Sequence, residues 1–319
     1  MATFGDLNRV GTNIQSIDAQ LSLNRINRDL ANSRERLTTG SNINRAEDDA
    51  AGYSIATKLK SRVAGLEQSL QNVSDAKSVL DIAESSFDIV MDSLIEMKAL
   101  STQAANDTLG STERSYIGDQ LQAIGADINE IANQTIFQET ELLNGTDNSG
   151  SLSLTFQTGE RAEDTISATI NAVNIGELFA ASGDANLGAT QTAGGGAAGG
   201  AAISVTAATA SAQGSFTFAT TATGADYNAL ITAVDNAIDL MAENVNTIGI
   251  TQSSLSLRVE TLSESISATE SAKSRIMDTD FAKEQSESVR LQILQQTATS
   301  ALAQANNGPQ AVLGLLGGQ

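Results

Sequence analysis

A long heptad repeat towards the carboxyl end is the feature that most limits how this chain can fold. From Ile231 to Ile276 a series of positions follows at alternating intervals of three and four residues, and 11 of its 14 positions are apolar. The intermediate positions are Val234, Ile238, Met241, Val245, Ile248, Gln252, Leu255, Val259, Leu262, Ile266, Thr269 and Lys273. This spacing is typical of a coiled-coil seam, in which one narrow helix face packs against another helix.

The first half of the chain carries a matching seam. Its members are Leu59, Val63, Leu66, Leu70, Val73, Leu80, Ala83, Phe87, Val90, Leu94 and Met97. A helix from about Ile55 to Ala105 exceeds the usual globular length and indicates a rod or bundle. Because helix-pairing surfaces occur in both halves, we expect a mainly α fold in which the two ends of the chain pair as an antiparallel coiled-coil rod.

Three shorter helices complete the helical part of the prediction. They cover about residues 5–36, residues 111–133 and residues 281–306, with Gly40 suited to the end of the first. The last is expected to stop at Gly308 and Pro309, because proline lacks the interior helical N–H. Asp226 is a candidate N-cap for the long carboxyl-terminal rod helix.

The middle of the chain changes from helical to strand periodicity. Alternating apolar residues at 152–156 and again at 166–170 predict a β-hairpin. In residues 180–225, 37 of 46 residues are Ala, Gly, Ser or Thr, so little apolar area offsets the entropy of ordering them. We expect two short strands at most there, in a small outer insertion that is the most dispensable part of the chain.

Composition excludes several classes of function. The chain has no His and no Cys, which removes Ser–His and Cys–His catalysis, His or thiolate metal sites and disulfides. With 3% aromatic residues there is little material for a ligand pocket, and we expect neither an enzyme nor a cofactor. No membrane span or signal peptide is recognisable, so ordinary export rules would place the chain in the cytoplasm.

Negative charge is concentrated away from the ends of the chain. Of the net charge of −20, −17 falls in residues 57–276. One interpretation is that the acidic residues simply keep a surface solvated. The other is that the near-neutral ends are buried together in an assembly. Nucleic acid is not expected as a partner, because no basic stripe is present to neutralise phosphates.

Two acidic turns have two interpretations each. Glu47, Asp48 and Asp49 form one cluster, and Asp278 with Asp280 forms the other. Carboxylates bind hard cations, but adjacent acids in a turn more often cap helices or are solvated. We therefore predict capping rather than a metal site in both turns.

Long motifs at the two ends resemble those of bacterial flagellins. The amino-terminal motif runs through residues 37–52, from Leu37 to Gly52, and the carboxyl-terminal motif through residues 274–282, 292–296 and 303–316. With residues 134–137 and 142–145, the similarity extends over about 5–175 and 228–316. The turn positions that it singles out are Gly40, Asn44, Asp48, Asp49, Gly52, Asp278, Asp280, Asn306 and Pro309.

The resemblance implies a structural subunit that polymerises with itself into the extracellular flagellar filament. It implies an inner terminal-helix domain at 1–44 and 277–319, a rod domain at 45–179 and 226–276, and a short variable surface insertion at 180–225. Export by the flagellar type III apparatus, an export chaperone and a filament cap are implied as well, which reverses the cytoplasmic expectation. Inner-helix assembly is assigned to Ile14, Ile17, Leu21, Leu30, Leu37, Ile293, Leu294, Leu302, Val312, Leu313 and Leu316.

One segment departs from the family pattern. Many flagellins present an Arg-containing rod segment to the innate immune receptor for flagellin. Here Leu94 and Leu100 are kept, but Glu96 replaces the usual Arg, and Lys98 lies beside it. Because an anion in place of a cation reverses any charge-assisted contact, we expect weak activation of that receptor.

Two other functions stay open at this stage. A hook–filament junction protein has a similar layout, although its ends match these motifs less fully. A secreted coiled-coil adhesin or effector that does not polymerise is the second alternative. The zinc-protease motif carried by some flagellins is excluded, because a chain without His cannot form a His-Glu-x-x-His site.

Overall fold

The structure is a computed structural model that describes residues 13–145, 150–180, 203–205 and 214–316. For residue 180 and residues 308–316 only the backbone is described. The helices of the described residues are α1 (Ile14–Thr39), α2 (Ala50–Ala104), α3 (Ser111–Gln134), α4 (Ile175–Ala180), α5 (Gly224–Met277) and α6 (Phe281–Leu316). The strands are β1 (Ile136–Phe137), β2 (Thr140–Glu141), β3 (Ser151–Gln157), β4 (Thr165–Asn171), β5 (Ile203–Val205) and β6 (Phe216–Phe218).

The strands pair as three antiparallel hairpins. Strand β1 pairs with β2, β3 with β4 and β5 with β6. In the longest hairpin Leu152 lies opposite Ile170, and Phe156 lies opposite Ile166. This confirms the hairpin predicted at 152–170 and the two short strands predicted in the middle segment. The mainly α fold class is confirmed too.

The chain divides into two compact units. Unit 1 comprises Met1–Ala64 and Ser267–Gln319, and unit 2 comprises Gly65–Ile266. Their boundaries lie within α2 and α5, whereas the predicted inner domain ended at residue 44 and resumed at residue 277. The predicted three-part division remains a prediction.

Unit 2 has a continuous hydrophobic core. Helices α2, α3 and α5 enclose fully buried side chains that include Phe87, Leu94, Leu121 and Met241. Phe87, Leu94 and Met241 follow the heptad spacing of the sequence, and the other seam positions of this unit are buried or partly buried, which confirms the packing of the two predicted seams. Packing of long seams is what stabilises helices of this length.

Polar contacts fix the alignment of α2 against α5. Gln252 occupies a seam position, and its Nε2 donates hydrogen bonds to Asp81 Oδ1 at 2.9 Å and Glu84 Oε2 at 2.7 Å. Further along, Lys98 Nζ lies 2.6 Å from Asp235 Oδ1. A polar group at one seam position disfavours shifted alignments, because in them the group would lose its partners.

The described part of the middle segment is packed into unit 2 rather than projecting from it. Ile203, Val205 and Phe216 are all buried. The Phe216 ring contacts Phe179 edge-on at a centroid distance of 4.8 Å, and Phe218 lies 6.2 Å from Tyr227 in a stacked arrangement. These residues therefore belong to the core of unit 2, because a few aromatic side chains supply the apolar area that the average composition of the segment lacks. Residues 181–202 and 206–213 of that segment lie outside the described residues.

Two glycines of α3 make room for these rings. A Cβ at Gly125 would lie 2.8 Å from Phe216 Cδ2, and a Cβ at Gly118 would lie 3.1 Å from Phe218 Cβ. Gly118 and Gly125 are seven residues apart and therefore share one helix face. Their missing side chains let strand β6 lie directly against α3.

Several predicted helix ends need correction. Helix α6 continues through Gly308 and Pro309 to Leu316, so Asn306 and Pro309 are helical and not in a turn. Proline removes one hydrogen bond and tends to kink a helix, but its neighbours can keep helical geometry. Gly52 is also helical, because α2 begins at Ala50.

The start of α5 differs in the same way. The helix begins at Gly224, and the carboxylate of Asp226 accepts hydrogen bonds from the backbone N–H and the hydroxyl of Thr223. Asp226 is therefore the third residue of the helix (position N3), whose carboxylate reaches back to the N–H of Thr223 as in a capping box, and it is not the N-cap itself. Helix α4 and the β1–β2 hairpin were not predicted, because each is too short to show periodicity.

The predicted first helix began near residue 5, and residues 5–12 lie outside the described residues. None of the helices in the described residues combines the length and hydrophobicity needed to cross a membrane.

Candidate functional site: the paired chain ends

Helices α1 and α6 of unit 1 pack side by side along their length. Asn13 Nδ2 donates to the Ala305 carbonyl at 2.8 Å, and Gln295 Nε2 donates to Asn27 Oδ1 at 2.7 Å. Residue numbers thus rise along one helix as they fall along the other, so the pair is antiparallel. The two ends of the chain, more than 250 residues apart in sequence, meet here.

The two apolar stripes of α1 have different environments. Leu30 is only 3% exposed, and Ile26 and Leu37 on the same side are partly buried. The other stripe is open: Ile17 is 50% exposed and Leu21 is 54% exposed. The first stripe faces α6, while the second has no cover within the described residues.

Helix α6 shows the same division. Leu291 is buried and Leu302 is partly buried, whereas Ile293 is 59% exposed and Leu294 is 39% exposed. Phe281 and Val289 are exposed as well. Of the predicted assembly residues, Val312, Leu313 and Leu316 lie in α6, but their side chains are outside the described residues.

The seam between α1 and α6 is small and polar for much of its length. Ser33 and Ser288 are both buried, and Ser33 Oγ has no hydrogen-bond partner in the described residues. An unsatisfied buried hydroxyl lowers stability, and serine contributes little apolar area. The pair therefore has a weak seam beside exposed large apolar side chains.

The two sequence motifs meet in a backbone clasp, which we define as Gly40–Asn44 with Met277–Thr279. The N–H of Asn42 donates to the Met277 carbonyl at 2.5 Å, and the N–H of Thr279 donates to the Gly40 carbonyl at 3.0 Å. Ser41 forms a β-bridge with Asp278. The Ser41 hydroxyl also donates to the Met277 carbonyl at 3.1 Å.

Gly40 permits the turn that starts the clasp. Its φ of 72° is left-handed, and its N–H donates to the Arg36 carbonyl to end α1. Residues other than glycine are strained in this conformation. The prediction that Gly40 follows the end of the first helix is confirmed.

Acidic side chains of the turns accept backbone N–H groups. Asp48 Oδ2 accepts from Asn44 and Arg45, both at 3.0 Å, and Asp49 Oδ1 accepts from Ala51 and Gly52 at 3.0 Å. The bonds from the Arg45 and Asn44 amides lower the pKa of the Asp48 carboxyl below its usual value. These geometries are those of turn and helix capping, as the sequence predicted.

Asp280 caps the second helix of the pair. Its Oδ1 accepts from the N–H groups of Ala282 at 3.0 Å and Lys283 at 3.1 Å, so it lies before the first turn of α6. A carboxylate here satisfies free N–H groups and complements the helix dipole. Asp278 contributes its backbone to the clasp instead.

Gly52 is needed for packing and not for a turn. A Cβ at this position would lie 2.5 Å from Asp49 Oδ2 and 2.7 Å from Ile43 Cδ1. Ile43, itself a residue of the clasp, is buried, and its side chain lies against the start of α2 at Gly52. Its role was missed, although a lone isoleucine among polar turn residues is a recognisable signal.

The predicted receptor segment is only partly accessible. Leu94 is fully buried in unit 2, and Leu100 is partly buried. Glu96 is exposed, and Lys98 is paired with Asp235. The exposed surface of this segment includes the two charged side chains and Ile95, which is 53% exposed, while Leu94 belongs to the core.

Comparison with known proteins gives consistent matches at both ends of the chain. Residues 10–148 match the bacterial flagellin N-terminal helical region, and residues 231–316 match the bacterial flagellin C-terminal helical region. The flagellin of Bacillus subtilis is 31% identical over 316 residues, covering 97% of this chain and 99% of the relative. That of Halalkalibacterium halodurans is 30% identical over 282 residues, covering 88% and 90%. Flagellin B of Vibrio anguillarum is 29% identical, covering 97% and 99%.

Proposed function

The chain belongs to the bacterial flagellin family, and on that basis we propose that the exposed apolar residues of α1 and α6 are the surface through which its subunits join. Flagellins are structural proteins, so the chain is a filament subunit that polymerises with itself, and it is not an enzyme. The filament is extracellular, and export is typical of the family. This replaces the cytoplasmic expectation. No observation favours a junction protein or an adhesin.

The observation that carries this proposal is the row of uncovered large side chains. Ile17, Leu21, Ile293 and Leu294 are exposed on two helices that are already paired with each other. Fully burying each such side chain contributes about 1.5–3 kcal/mol. Burial by neighbouring copies would supply the stability that the serine-containing seam lacks.

The inner-helix residues divide into two groups in this proposal. Leu30, Leu37 and Leu302 hold α1 to α6, while the exposed group joins subunits, and Ile14 lies on the exposed stripe of α1 with Ile17 and Leu21. Val312, Leu313 and Leu316 extend the apolar character of α6 and belong to the assembly surface by sequence alone. The terminal helices order fully only when neighbours cover them.

Truncation of the chain after Ala301 tests whether the carboxyl-terminal residues are required. We expect a soluble protein in which unit 2 keeps its thermal unfolding transition but filaments no longer grow from seeds. Negative-stain electron microscopy and sedimentation measure the outcome. Filaments formed by the truncated chain would rule out the proposed role of the end of α6.

A pair of matched substitutions tests the surface itself. Leu21→Ser with Ile293→Ser removes two exposed apolar side chains of unit 1. Leu257→Ser with Ile250→Ser removes two equally exposed ones from α5 in unit 2. We expect the first variant to lose seeded growth and the second to keep most of it. Equal loss in both would show that the terminal helices have no special role.

An export chaperone and a filament cap are proposed as further partners. The support for the chaperone is physical: an exposed apolar stripe on an unassembled subunit favours aggregation unless another protein covers it. Binding of a purified flagellar chaperone should weaken in the Leu21→Ser, Ile293→Ser variant and persist in the unit 2 variant. Unchanged binding would direct the search to another surface.

Weak activation of the innate receptor is a separate proposal for the rod segment. It is supported by Glu96, an exposed anion, and by Lys98, whose charge is paired with Asp235. Glu96→Arg should raise activation by purified monomer in a reporter-cell assay, whereas Glu260→Arg, an identical change elsewhere, should not. Strong, submicromolar activation by the parent protein would contradict the proposal.

A further inference from the structure

Asn144 and Gly145 follow the β1–β2 hairpin in unit 2. An asparagine that precedes glycine is chemically labile, because glycine has no side chain to hinder its backbone nitrogen or restrict its backbone. That nitrogen can attack the side-chain carbonyl carbon of the asparagine. The chain contains one other pair of this kind, Asn307 with Gly308.

The side chain of Asn144 is enclosed by unit 2. It is 1% exposed, and its Nδ2 donates to Asn133 Oδ1 at 2.9 Å and to Glu141 Oε2 at 2.7 Å. The two preceding residues, Leu142 and Leu143, are buried in the core of the unit. Release of Asn144 therefore requires core side chains to become exposed, and movement of a surface loop is not sufficient.

Backbone hydrogen bonds hold the same segment from two directions. The N–H of Leu142 donates to the carbonyl of Thr135, at the end of α3, at 2.9 Å. The carbonyl of Leu143 accepts from the N–H of Val173, which follows β4, at 2.9 Å. Both bonds must break before the backbone at Asn144 can turn its nitrogen neighbour towards the side chain.

The surroundings of Asn144 also oppose the attack itself. Attack on the side-chain carbonyl places negative charge on its oxygen, and such a step is accelerated by groups that stabilise that charge. Glu141 instead brings a carboxylate to the same side chain. A neighbouring anion makes the build-up of negative charge unfavourable, and burial excludes the water that would carry protons to and from the site.

We propose that Asn144 with Gly145 is a site of spontaneous deamidation, that the folded state of unit 2 protects it, and that its conversion permanently marks chains in which unit 2 has opened. In the open chain the Gly145 nitrogen bonds to Asn144 Cγ, and the Cγ–Nδ2 bond breaks. The Gly145 amide proton leaves with Nδ2 as ammonia. Water then opens the resulting succinimide to aspartate or isoaspartate, so no oxidant or reductant is required.

The product does not fit the place of Asn144. Its carboxylate would face Asn133 Oδ1 and Glu141 Oε2, the two acceptors that now receive the amide hydrogens. An ionised carboxylate donates no hydrogen bond, and it repels the carboxylate of Glu141 at this distance. A converted chain is therefore expected to stay open at this segment, which makes the change one-way.

Incubation of the full-length chain with and without denaturing urea tests the protection. Samples are kept at mildly alkaline pH for several days, and peptide mass spectrometry measures conversion at Asn144 and Asn307. In urea both residues should convert, because glycine follows each of them. In the folded chain Asn144 should convert at least about tenfold more slowly than in urea, since it must wait for unit 2 to open. Equal rates at Asn144 in the two conditions would overturn the proposal.

Two substitutions test whether conversion follows the opening of unit 2. Phe216→Ala removes a core side chain of unit 2, and Ile293→Ala removes an exposed side chain of unit 1. The first should accelerate conversion of Asn144 without urea by at least about tenfold, because more chains are open. The second should leave the rate within about twofold of the parent rate. Equal rates in the two variants would contradict the proposal.

Asn144→Asp reproduces one product and tests whether the change is one-way. It should raise the equilibrium constant for unfolding of unit 2 by about tenfold or more. Asn246→Asp is the matched control, because it adds the same charge at an exposed position of α5. Adding Glu141→Gln to Asn144→Asp should recover most of the stability, and if Asn144→Asp alone fails to fold, the recovery is measured as the return of the helical circular dichroism signal. Equal stability of the Asn144→Asp and Asn246→Asp chains would overturn the one-way mark.

Discussion

Units 1 and 2 are both built mainly from long antiparallel helices, yet they differ in how far each completes its own packing. In unit 2 the seam residues are buried or partly buried, and Phe216 and Tyr227 are almost fully enclosed. In unit 1 the seam contains buried serines, and large apolar residues such as Leu21 and Ile293 are exposed. Unit 2 therefore buries its own apolar seam, whereas unit 1 leaves large apolar side chains uncovered within the described residues.

The comparison also holds for charge. Unit 2 contains an excess of 21 acidic residues, and unit 1 is nearly neutral. A strongly charged unit resists burial, because desolvating charges is unfavourable and like charges repel. Burial is more favourable for a nearly neutral unit with exposed apolar area. Heptad spacing alone does not distinguish these two cases; the identity of the residues on the outer faces does.

The largest expected difference between the units comes from truncating one large side chain in each. Phe216→Ala should lower the free energy of unfolding of unit 2 by about 3–5 kcal/mol, because it opens a cavity against Phe179 and α3. Ile293→Ala should change the stability of the monomer by less than about 0.5 kcal/mol, because the side chain is exposed. Denaturant unfolding followed by circular dichroism measures both. Similar changes in the free energy of unfolding from the two substitutions would contradict the proposed difference in packing between the two units.

A smaller effect is expected from filling space on a helix. Gly125→Ala should destabilise unit 2 by about 1–3 kcal/mol, because the new methyl group would overlap Phe216. Gly249→Ala is the matched control, since a Cβ there meets no atom within 4 Å. It should stabilise helix α5 by about 0.5–1 kcal/mol. Destabilisation by both would mean that β6 does not lie against α3 as described.

Alkaline pH should affect unit 2. Burial raises the pKa of the Tyr227 phenol, whose hydroxyl donates to the Arg114 carbonyl at 3.0 Å. The stability that depends on the neutral phenol is fully present below the unfolded pKa, about 10, and is lost as pH rises through the folded pKa. Between about pH 9 and 12, the unfolding midpoint of unit 2 should fall less steeply with rising pH in the Tyr227→Phe variant than in the parent chain. If the midpoint fell with the same slope in both proteins, ionisation of the Tyr227 phenol would not be coupled to unfolding.

Acid should produce the smallest effect, in the clasp region of unit 1. Because the pKa of Asp48 is lowered by amides of its own turn, its contribution is present above the unfolded pKa of about 3.9 and is lost as pH falls through the folded value. The amide resonances of Asn44 and Arg45 should follow this titration in NMR spectra. In Asp48→Asn the pH-dependent shift should disappear. A midpoint at or above about 4 in the parent would contradict the lowered pKa.

The parts of the fold that were predictable from sequence have repeated or special residues. Seams such as Val73 to Met97 repeat often enough to give the helix pairing, and Gly40 marks the end of α1 through its left-handed backbone. The hairpin at 152–170 follows from strict alternation. Each of these signals is local or periodic, so it is readable without tertiary structure.

The parts that were not predictable depend on contacts between distant residues. Composition described the middle segment as small and polar on average, yet Phe216 and Phe218 determine its packing. The sequence predicted that the last helix stops at Gly308 and Pro309, because proline lacks the helical N–H. In the structure α6 keeps its helical geometry through Pro309 and continues to Leu316. For the site, both motifs were found, but the exposed and buried stripes of α1 could be separated only when α6 was placed beside it.

The clasp carries a consequence for the order in which the chain folds. It joins Ser41 to Met277, which are 236 positions apart in sequence. Closing a flexible loop of that length would carry an entropic cost of about 5 kcal/mol beyond a constant term, more than a few hydrogen bonds return. Once the intervening segment is folded, most of that cost has been met by contacts of shorter range. The two ends of a newly exported chain should therefore join late, after the middle has become native, so only a finished subunit is ready to be added to a filament.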